Sequence, residues 1–469
     1  MQRRSAISRV LAALPACAAA AVLLWPGGAG AASRDSVTAR GAPYLPGVVV
    51  VGYRNAPLAA ADTRRASGAG TSGSVRIELV RVRRGTTVAQ EIRLLRRSRG
   101  VAYAVPDYLA HMADATTPGW VPDDPGTTHA AQGWQWMQWN FLPGMGVNAP
   151  GAWANLFADH RPGGRGVVVA VLDTGIAYRN WHQFRKSPDF TGTRFVDPYD
   201  FVAGNRYPLD REGHGTFVSG TIAESTNNGF GLTGIAYGAS IMPVRVLDEN
   251  GWGDAATIAK GIRYAASHGA QVINLSLEFD PSVTAGDIPD ILAAIRFAHE
   301  RGAVVVAASG NEGMQQQIAY PARAQVVISV GATTADRCLA NYSNGGPRLD
   351  LVAPGGGIDT QDLPNDPNCH PDRQNLPDIY QMTFGNPFNP RRFGYPTDWY
   401  GTSMAAPHVT AAAALVIASG VIGPHPTPDE VLARLEATAQ TLGGVKPNRS
   451  YGYGLVDAGA ATARTPPAG

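Results

Sequence analysis

The sequence predicts an α/β protein: a parallel sheet with helices on both faces, preceded by a small α+β module. Three observations carry this. Short unbroken Val/Ile/Ala runs (VVVAVLD, QVINLSL, AVVVAASG, VVISVGA) alternate with stretches of helical period such as ATIAKGIRYAASHG and IPDILAAIRFAHERG, the pattern of strands covered on both faces. Polar residues gather where such strands end, with Asp173 closing VVVAVLD and Asn311 following AVVVAASG. Open parallel sheets carry their crevice there, outside the carboxyl ends of the strands. Residues 33–115, finally, change character: they are cationic, arginine-rich and broken by Gly/Ala spacers.

The chain has 469 residues, a net charge of +2 and a 44% hydrophobic fraction, enough for one large domain plus a smaller one. Only three lysines occur and no long basic tract, which argues against a nucleic-acid partner. Residues 1–32 read as a secretory signal: MQRRSAISR is basic, VLAALPACAAAAVLLW is apolar, and GAGAAS supplies small residues for a cut after Ala31 or Ala32. Arg3-Arg4 and LPAC with Cys17 leave twin-arginine export and lipoprotein processing as alternatives. No later segment reaches the roughly 18 apolar residues expected of a spanning helix. Export leaves Cys338 and Cys369, for which a disulfide is the expected state; two buried thiols are the alternative.

In residues 33–115, GVVVVGY, SVRIELVRV and GVAYAVPDYL read as strands, and TVAQEIRLLRRS reads as a helix with apolar residues at 88, 92 and 95. Residues 116–145, rich in Pro, Gly, Gln and Trp, suggest a linker that becomes an arm on the larger body. VNAPGAWANLF starts a helix, and the strand–helix alternation follows. Residues 357–397 break it with Pro, Asn and Asp and read as an inserted surface loop held through Cys369. GTSMAAPHVT then opens an apolar helix. Alone, that stretch describes a capped core helix, with Ser or Thr satisfying first-turn amides and Pro407 tolerated in the first turn.

Three stretches together give another meaning. VLDTG presents Asp173 at a strand end, EGHGTFVSG presents His214 at a helix start, and GTSMAAPH presents Ser403 at another. A serine hydroxyl becomes an effective nucleophile when an imidazole takes its proton and a carboxylate orients that imidazole. SGNEG adds Asn311, whose amide can donate to an oxyanion beside the Ser403 backbone N–H. Each residue alone has an ordinary structural explanation; the four in this order point to a site.

At these residues the chain resembles the subtilisin-like serine peptidases. The likeness lies in VAVLDTGI, GHGTFVSGTIAESTNNGFGLTGIA, NGWGDAATIAKGI, VINLSL, AASGNEG, NYSNGG, LVAPGG, GTSMAAPHVTAAAAL and YGYGLVDA. It runs from about residue 120 to 463. It implies a subtilisin-like fold over 116–469, with Asp173 as orienting acid, His214 as general base and acid, Ser403 as nucleophile and Asn311 as oxyanion donor. Residues 33–115 resemble more loosely the inhibitory propeptide of these enzymes, a chaperone and inhibitor cut away between Ala110 and Gly119. The resemblance implies that an extended protein or peptide substrate pairs with Gly251–Trp252–Gly253 and Ser276–Leu277–Glu278. The P1 side chain (the residue before the cut bond) would enter between Ala308–Ser309–Gly310 and Leu275–Leu277. Ala255 leaves the S4 side open.

Two residues depart from the family pattern: Glu278 stands where glycine is usual, and Phe217 where histidine follows HGT. Phe217 is expected to pack. Glu278 with Glu312 either surrounds P1 with two carboxylates, shifting preference toward Arg or Lys by charge pairing, or Glu278 points to solvent. NNGFG resembles the family's calcium loop, implying a structural Ca²⁺ held by the Asn228 side chain, by the Thr226, Phe230 and Leu232 carbonyls and by Asp189. A plain tight turn is the alternative for NNG. The reading is a secreted, propeptide-activated, monomeric serine endopeptidase with no catalytic cofactor; a non-catalytic peptide binder and an acyl-transferring variant are the rivals.

Overall fold

The computed structural model describes residues 44–54, 75–83, 86–108, 121–128, 130–386 and 389–464. The signal segment, Cys17 and the 110–119 cleavage window lie outside the described residues. The chain divides into two compact units, residues 1–111 and 112–469.

In the first unit, β1 (Tyr44–Arg54) pairs antiparallel with β2 (Val75–Arg81) and with β3 (Val101–Tyr108), in the order β2–β1–β3. Helix α1 (Val88–Leu95) begins with a capping box: Thr87 accepts from the Gln90 N–H and Gln90 reaches back to Thr87. The strand period of two brings Val49 and Val51 to one face, where they meet Val88 and Ile92 of α1 in a small core. The expected strands and helix are all present.

In the second unit, residues 121–145 are neither strand nor long helix. They form short 3₁₀ turns that bury Trp134 and Phe141 against the body. Helix α2 (Ala149–Ala158) follows, then β4 (Val168–Asp173), two short strands β5 (Arg194–Phe195) and β6 (Tyr199–Asp200), and α3 (His214–Ala223). The alternation continues with β7 (Ser240–Arg245), α4 (Ala255–Ser267), β8 (Val272–Leu275), α5 (Pro289–Glu300), β9 (Val304–Ala308), β10 (Val327–Thr333) and β11 (Leu351–Pro354). The parallel sheet runs β11–β10–β9–β8–β4–β7–β5, with β6 also on β7. Alternation within a strand divides two cores. Val169 and Val171 face the layer of α2, α3 and the long helix α6 (Thr402–Ser419), while Ala170 and Leu172 face α4 and α5. Val304, Val306 and Ala308 of β9 join the first core, Val305 and Ala307 the second.

Helix α6 corrects two expectations. It is 18 residues long and apolar enough to cross a membrane by length and composition, but it is buried; Ala411 to Val416 have no exposure and form the centre of the first core. Its apolar character serves that core. Pro407 sits inside the helix, beyond the first turn. The chain closes with α7 (Pro428–Thr438) and α8 (Ala458–Thr462).

The 357–397 insert is less superficial than expected. It contains a two-stranded hairpin, β12 (Thr383–Phe384) with β13 (Phe393–Gly394), and it buries Ile379, Met382 and Phe384. Ile379 packs in a cluster with Trp139, Phe217 and Met404, so this stretch helps build the wall beside the site. Cys338 and Cys369 form a disulfide across 31 residues of chain. By chain entropy a closed loop of this length contributes about 3–4 kcal/mol. A Cys338→Ala/Cys369→Ala double variant is expected to lose that much stability in urea unfolding; an unchanged midpoint would show that the pairing adds nothing.

Candidate active site

Asp173 is the last residue of β4 and is buried. Its Oδ1 accepts from Thr174 N at 2.7 Å and from His214 Nδ1 at 2.8 Å, while Oδ2 is buried without a protein partner. This contact requires the first turn of α3 to lie against the end of β4. Gly215 permits it, since a Cβ there would collide with the Gly175 carbonyl and come within 3.0 Å of the Asp173 Cβ.

Asp210, which sequence reading missed, fixes the same junction. It is fully buried and accepts from Thr174 Oγ1 (2.9 Å), Gly213 N (2.9 Å), Thr216 N (3.0 Å) and Thr216 Oγ1 (2.5 Å). Gly215 N donates to Thr174 Oγ1 at 3.0 Å. One carboxylate thus ties the turn after β4 to the start of α3. The signal for it was a helix-start acid four residues before His214 in DREGHG.

Ser403 is the second residue of α6, whose N-cap is Gly401 with no side-chain cap bond. The capping role considered for Ser403 is therefore not what it does. Its Oγ donates to the Ser276 carbonyl at 3.2 Å, and its own carbonyl accepts from Ser276 Oγ at 2.8 Å. Pro407 explains the second bond: four residues on, it has no N–H to give that carbonyl, so the acceptor is open to Ser276. Asn274 Nδ2 donates to Ser276 Oγ (3.0 Å), and Thr410 Oγ1 donates to Asn274 Oδ1 (2.7 Å), a buried polar ladder from β8 to α6. His408 is locked one turn further along, its Nδ1 on the Met404 carbonyl and its Nε2 on Asn140 Nδ2, both at 2.8 Å. Burial holds it neutral by lowering its pKa to about 4.

Asn311 follows β9. Its Oδ1 accepts from Thr402 N (2.8 Å) and Thr402 Oγ1 (3.0 Å), which turns Nδ2 the other way. Nδ2 and the backbone N both donate to Glu278, at 3.0 and 3.1 Å. Glu278 therefore faces Asn311 and not bulk solvent. Ser276–Glu278 continues directly from β8, and Gly251–Gly253 lies in the loop that follows β7; β7 and β8 are the two neighbours of β4. Trp252 is 78% exposed, whereas Ser276 and Leu277 are buried. Ala308, Ser309 and Gly310 are buried at the end of β9.

Helices α3 and α6 pack together, and Trp399 stacks on Phe217 at 4.7 Å with its ring 6.0 Å from that of His214. The stacking accounts for Phe217. Among the described residues no hydrogen bond joins His214 to Ser403; such contacts commonly tighten only with substrate bound.

Of the expected calcium residues, Asp189, Asn228 and Leu232 come together. Asp189 is buried and accepts from Leu232 N (2.8 Å) and Asn228 Nδ2 (3.1 Å). Asn228 turns its amide nitrogen, not its oxygen, toward Asp189, and its Oδ1 accepts from Phe230 N. Two acids beside the loop were missed. Asp124, buried, accepts from the N–H groups of Asn227 and Asn228, and Glu224 is buried with Oε1 unpartnered. Burial pushes Asp189 to about 8 and Asp124 to about 7. Among the described residues no three acidic, His or Cys side chains converge into a metal cluster by themselves, so carbonyls must complete any such site. Buried carboxylates that feel one another's charge and have no cationic partner among the described residues fit a hard cation.

Residues 164–454 match the Subtilase family, and residues 31–107 match the Fervidolysin N-terminal prodomain. The chain belongs to the subtilase family. It is a serine-type endopeptidase with an N-terminal prodomain. A thermophilic serine proteinase of Bacillus sp. (strain AK1) is 35% identical over 361 residues, covering 77% of this chain and 73% of that protein. Subtilisin Savinase of Lederbergia lenta is 37% identical over 304 residues, 64% of this chain and 91% of that protein. Among solved structures, a protease from Pseudoalteromonas arctica PAMC 21717 superimposes with a TM-score of 0.56 at 30% identity, over 73% of this chain and 99% of that one.

Burial disfavours the charged form of His214, but Asp173, with Glu212 and Asp210, outweighs it and raises the pKa to about 9. This raised value stabilises the folded subtilase below the unfolded value of roughly 6.5, and the contribution is lost as pH climbs through 9. As a general base the ring must be neutral, so kcat/KM is expected to rise with pH toward a plateau above about 9. Asp173→Asn should lower kcat by about 10⁴ and move that limb to lower pH; an unmoved limb would show that Asp173 does not set the basicity of His214.

Proposed function

We propose that this subtilase is a secreted endopeptidase that cleaves extended protein substrates through an acyl-enzyme on Ser403, after release of residues 33–115. The observation that carries the reading is the 2.8 Å bond from His214 to buried Asp173 beside the helix that begins with Ser403. Asp173 holds the proton on Nδ1, which leaves Nε2 as the base. Ser403 Oγ attacks the peptide carbonyl as Nε2 takes its proton. The oxyanion is received by the Ser403 N–H, a first-turn donor with no carbonyl four residues back in its helix, and by Asn311 Nδ2. Collapse expels the amine, which takes the proton from His214. Water then repeats the sequence on the acyl ester and frees Ser403. The substrate backbone pairs with Gly251–Gly253 and Ser276–Glu278, giving affinity that tolerates sequence.

Residues 1–32 direct export, in keeping with the basic, apolar and small-residue order of that segment. Residues 33–115 act as chaperone and inhibitor of the catalytic domain. Asp189, the Asn228 side chain once its amide is turned, and the Thr226, Phe230 and Leu232 carbonyls hold a Ca²⁺. The ion neutralises the buried acids and braces the loop after α3; no catalytic step passes through it.

A fluorophosphonate is expected to label Ser403 alone, and Ser403→Ala to accumulate uncut with its prodomain attached. Labelling elsewhere, or normal maturation of that variant, would remove the assignment. Asn311→Ala should lower kcat by about 10²–10³. Calcium chelation should lower the melting temperature of the mature enzyme, and Asp189→Asn should make it insensitive to added Ca²⁺. A melting temperature indifferent to chelator would exclude the ion.

A further inference from the structure

Glu278 ends the segment that leaves β8, and both its oxygens face Asn311: Oε2 accepts from the backbone N–H at 3.1 Å, Oε1 from Nδ2 at 3.0 Å. Glu312 is the residue after Asn311. Its Oε2 accepts from Asn344 Nδ2 at 2.5 Å, and Asn344 Oδ1 accepts from its N–H at 3.2 Å. The two carboxylates meet over Gly310, which lies at φ 109°. A Cβ added there would collide with Asn344 Nδ2 and sit 2.6 Å from Glu278 Oε2 and 3.0 Å from Glu312 Oε2. The bare backbone of Gly310 thus lets both acids, and the Asn344 amide with them, approach the same point. Among the described residues, no Lys, Arg or His forms an ion pair with either. Burial and the charge of Glu312 push the Glu278 carboxyl up to about 7, the mark of an acid whose charge is uncompensated.

We propose that Glu278 and Glu312 select substrates, directing cleavage to bonds that follow arginine or lysine. The inference rests on the roles given above to Ser403, Asn311 and the Ala308–Gly310 wall. A guanidinium or ammonium entering beside Gly310 supplies the cation the pair lacks, and an arginine fork matches a carboxylate in two bonds. The same placement acts on the chemistry. Glu278 binds the amide that must receive the oxyanion, so its negative charge lies close to the one that develops in the transition state. A cationic P1 side chain offsets that repulsion, whereas an apolar one leaves it in place and desolvates the acids further. Discrimination therefore enters kcat as well as KM.

The test uses enzyme matured from the full chain and peptide anilides identical except at P1: Arg, Lys, Gln, Leu and Phe. A charge-assisted contact of this kind predicts kcat/KM for Arg and Lys about 10- to 100-fold above Leu and Phe. Glu278→Gln keeps the shape and one acceptor for Asn311. It should cut the Arg/Leu ratio about tenfold, losing Arg cleavage while Leu cleavage rises, and Glu278→Gln/Glu312→Gln should bring the ratio near one. Wild-type enzyme cutting Leu or Phe as fast as Arg overturns the proposal, as does a ratio unmoved in Glu278→Gln. In both cases labelling of Ser403 by a neutral fluorophosphonate would show the catalytic reading still standing. Failure of that labelling in the wild type removes the catalytic reading and this proposal with it.

Discussion

The hydrogen bond between Asp173 and His214 is the constraint on which the rest of the site depends. It joins the end of a central strand to the start of a helix 41 residues later, and neither residue can reach the other unless backbone presses on backbone. Gly215 removes the side chain that would hold them apart. Asp210 then fastens the approach by gathering donors from both elements, Thr174 from the strand side and Gly213 and Thr216 from the helix. A surface acid could not do this work, because water would compete for the same N–H groups; buried, Asp210 also takes the Glu212 N–H at 3.0 Å.

Ser403 is positioned by a separate network that starts from the neighbouring strand β8. Pro407 opens the Ser403 carbonyl, Ser276 fills it, and Asn274 and Thr410 hold Ser276 in turn. The network crosses from β8 to α6 through an otherwise apolar core, so each member must be satisfied or the helix would shift. A proline that reads in the sequence as a tolerated first-turn residue is, in the fold, part of what sets the serine. The helix itself is almost featureless because its remaining length fills the core between α3 and the sheet.

The sheet, its helices and the four residues at its carboxyl edge were legible in the sequence because each has a local signal: unbroken β-branched runs, glycine-flanked polar residues and strand ends. The disulfide was legible from compartment and cysteine number. What was not legible depends on long-range placement. Asp210, Asp124 and Glu224 look like ordinary solvated acids until the fold buries them. The direction of Glu278 depends on Asn311, 33 residues away. The insert looked superficial because its polar composition hides Ile379, Met382 and Phe384, whose burial comes from partners elsewhere in the chain. Ser403 shows the same limit in reverse, since cap propensity is a local rule and the actual bond is tertiary.

The distribution of charge links the active site to the 226–232 loop. Buried acids in this chain are satisfied in two ways: Asp200 is paired with Arg245 at 3.2 Å, both almost wholly buried, whereas Asp210 is held by neutral donors alone. Two further groups of acids are held in the second way. Asp124, Asp189 and Glu224 around the 226–232 loop are met only by N–H groups and amides, and Glu278 with Glu312 beside Gly310 only by those of Asn311 and Asn344. Hydrogen bonds to neutral donors reduce the cost of burying a charge but do not cancel it. Burial accordingly raises the pKa of Asp124, Asp189, Glu224 and Glu278. In the proposals above the charge at the loop would be met by Ca²⁺, and that beside Gly310 by a cation that arrives with the peptide and leaves with the product.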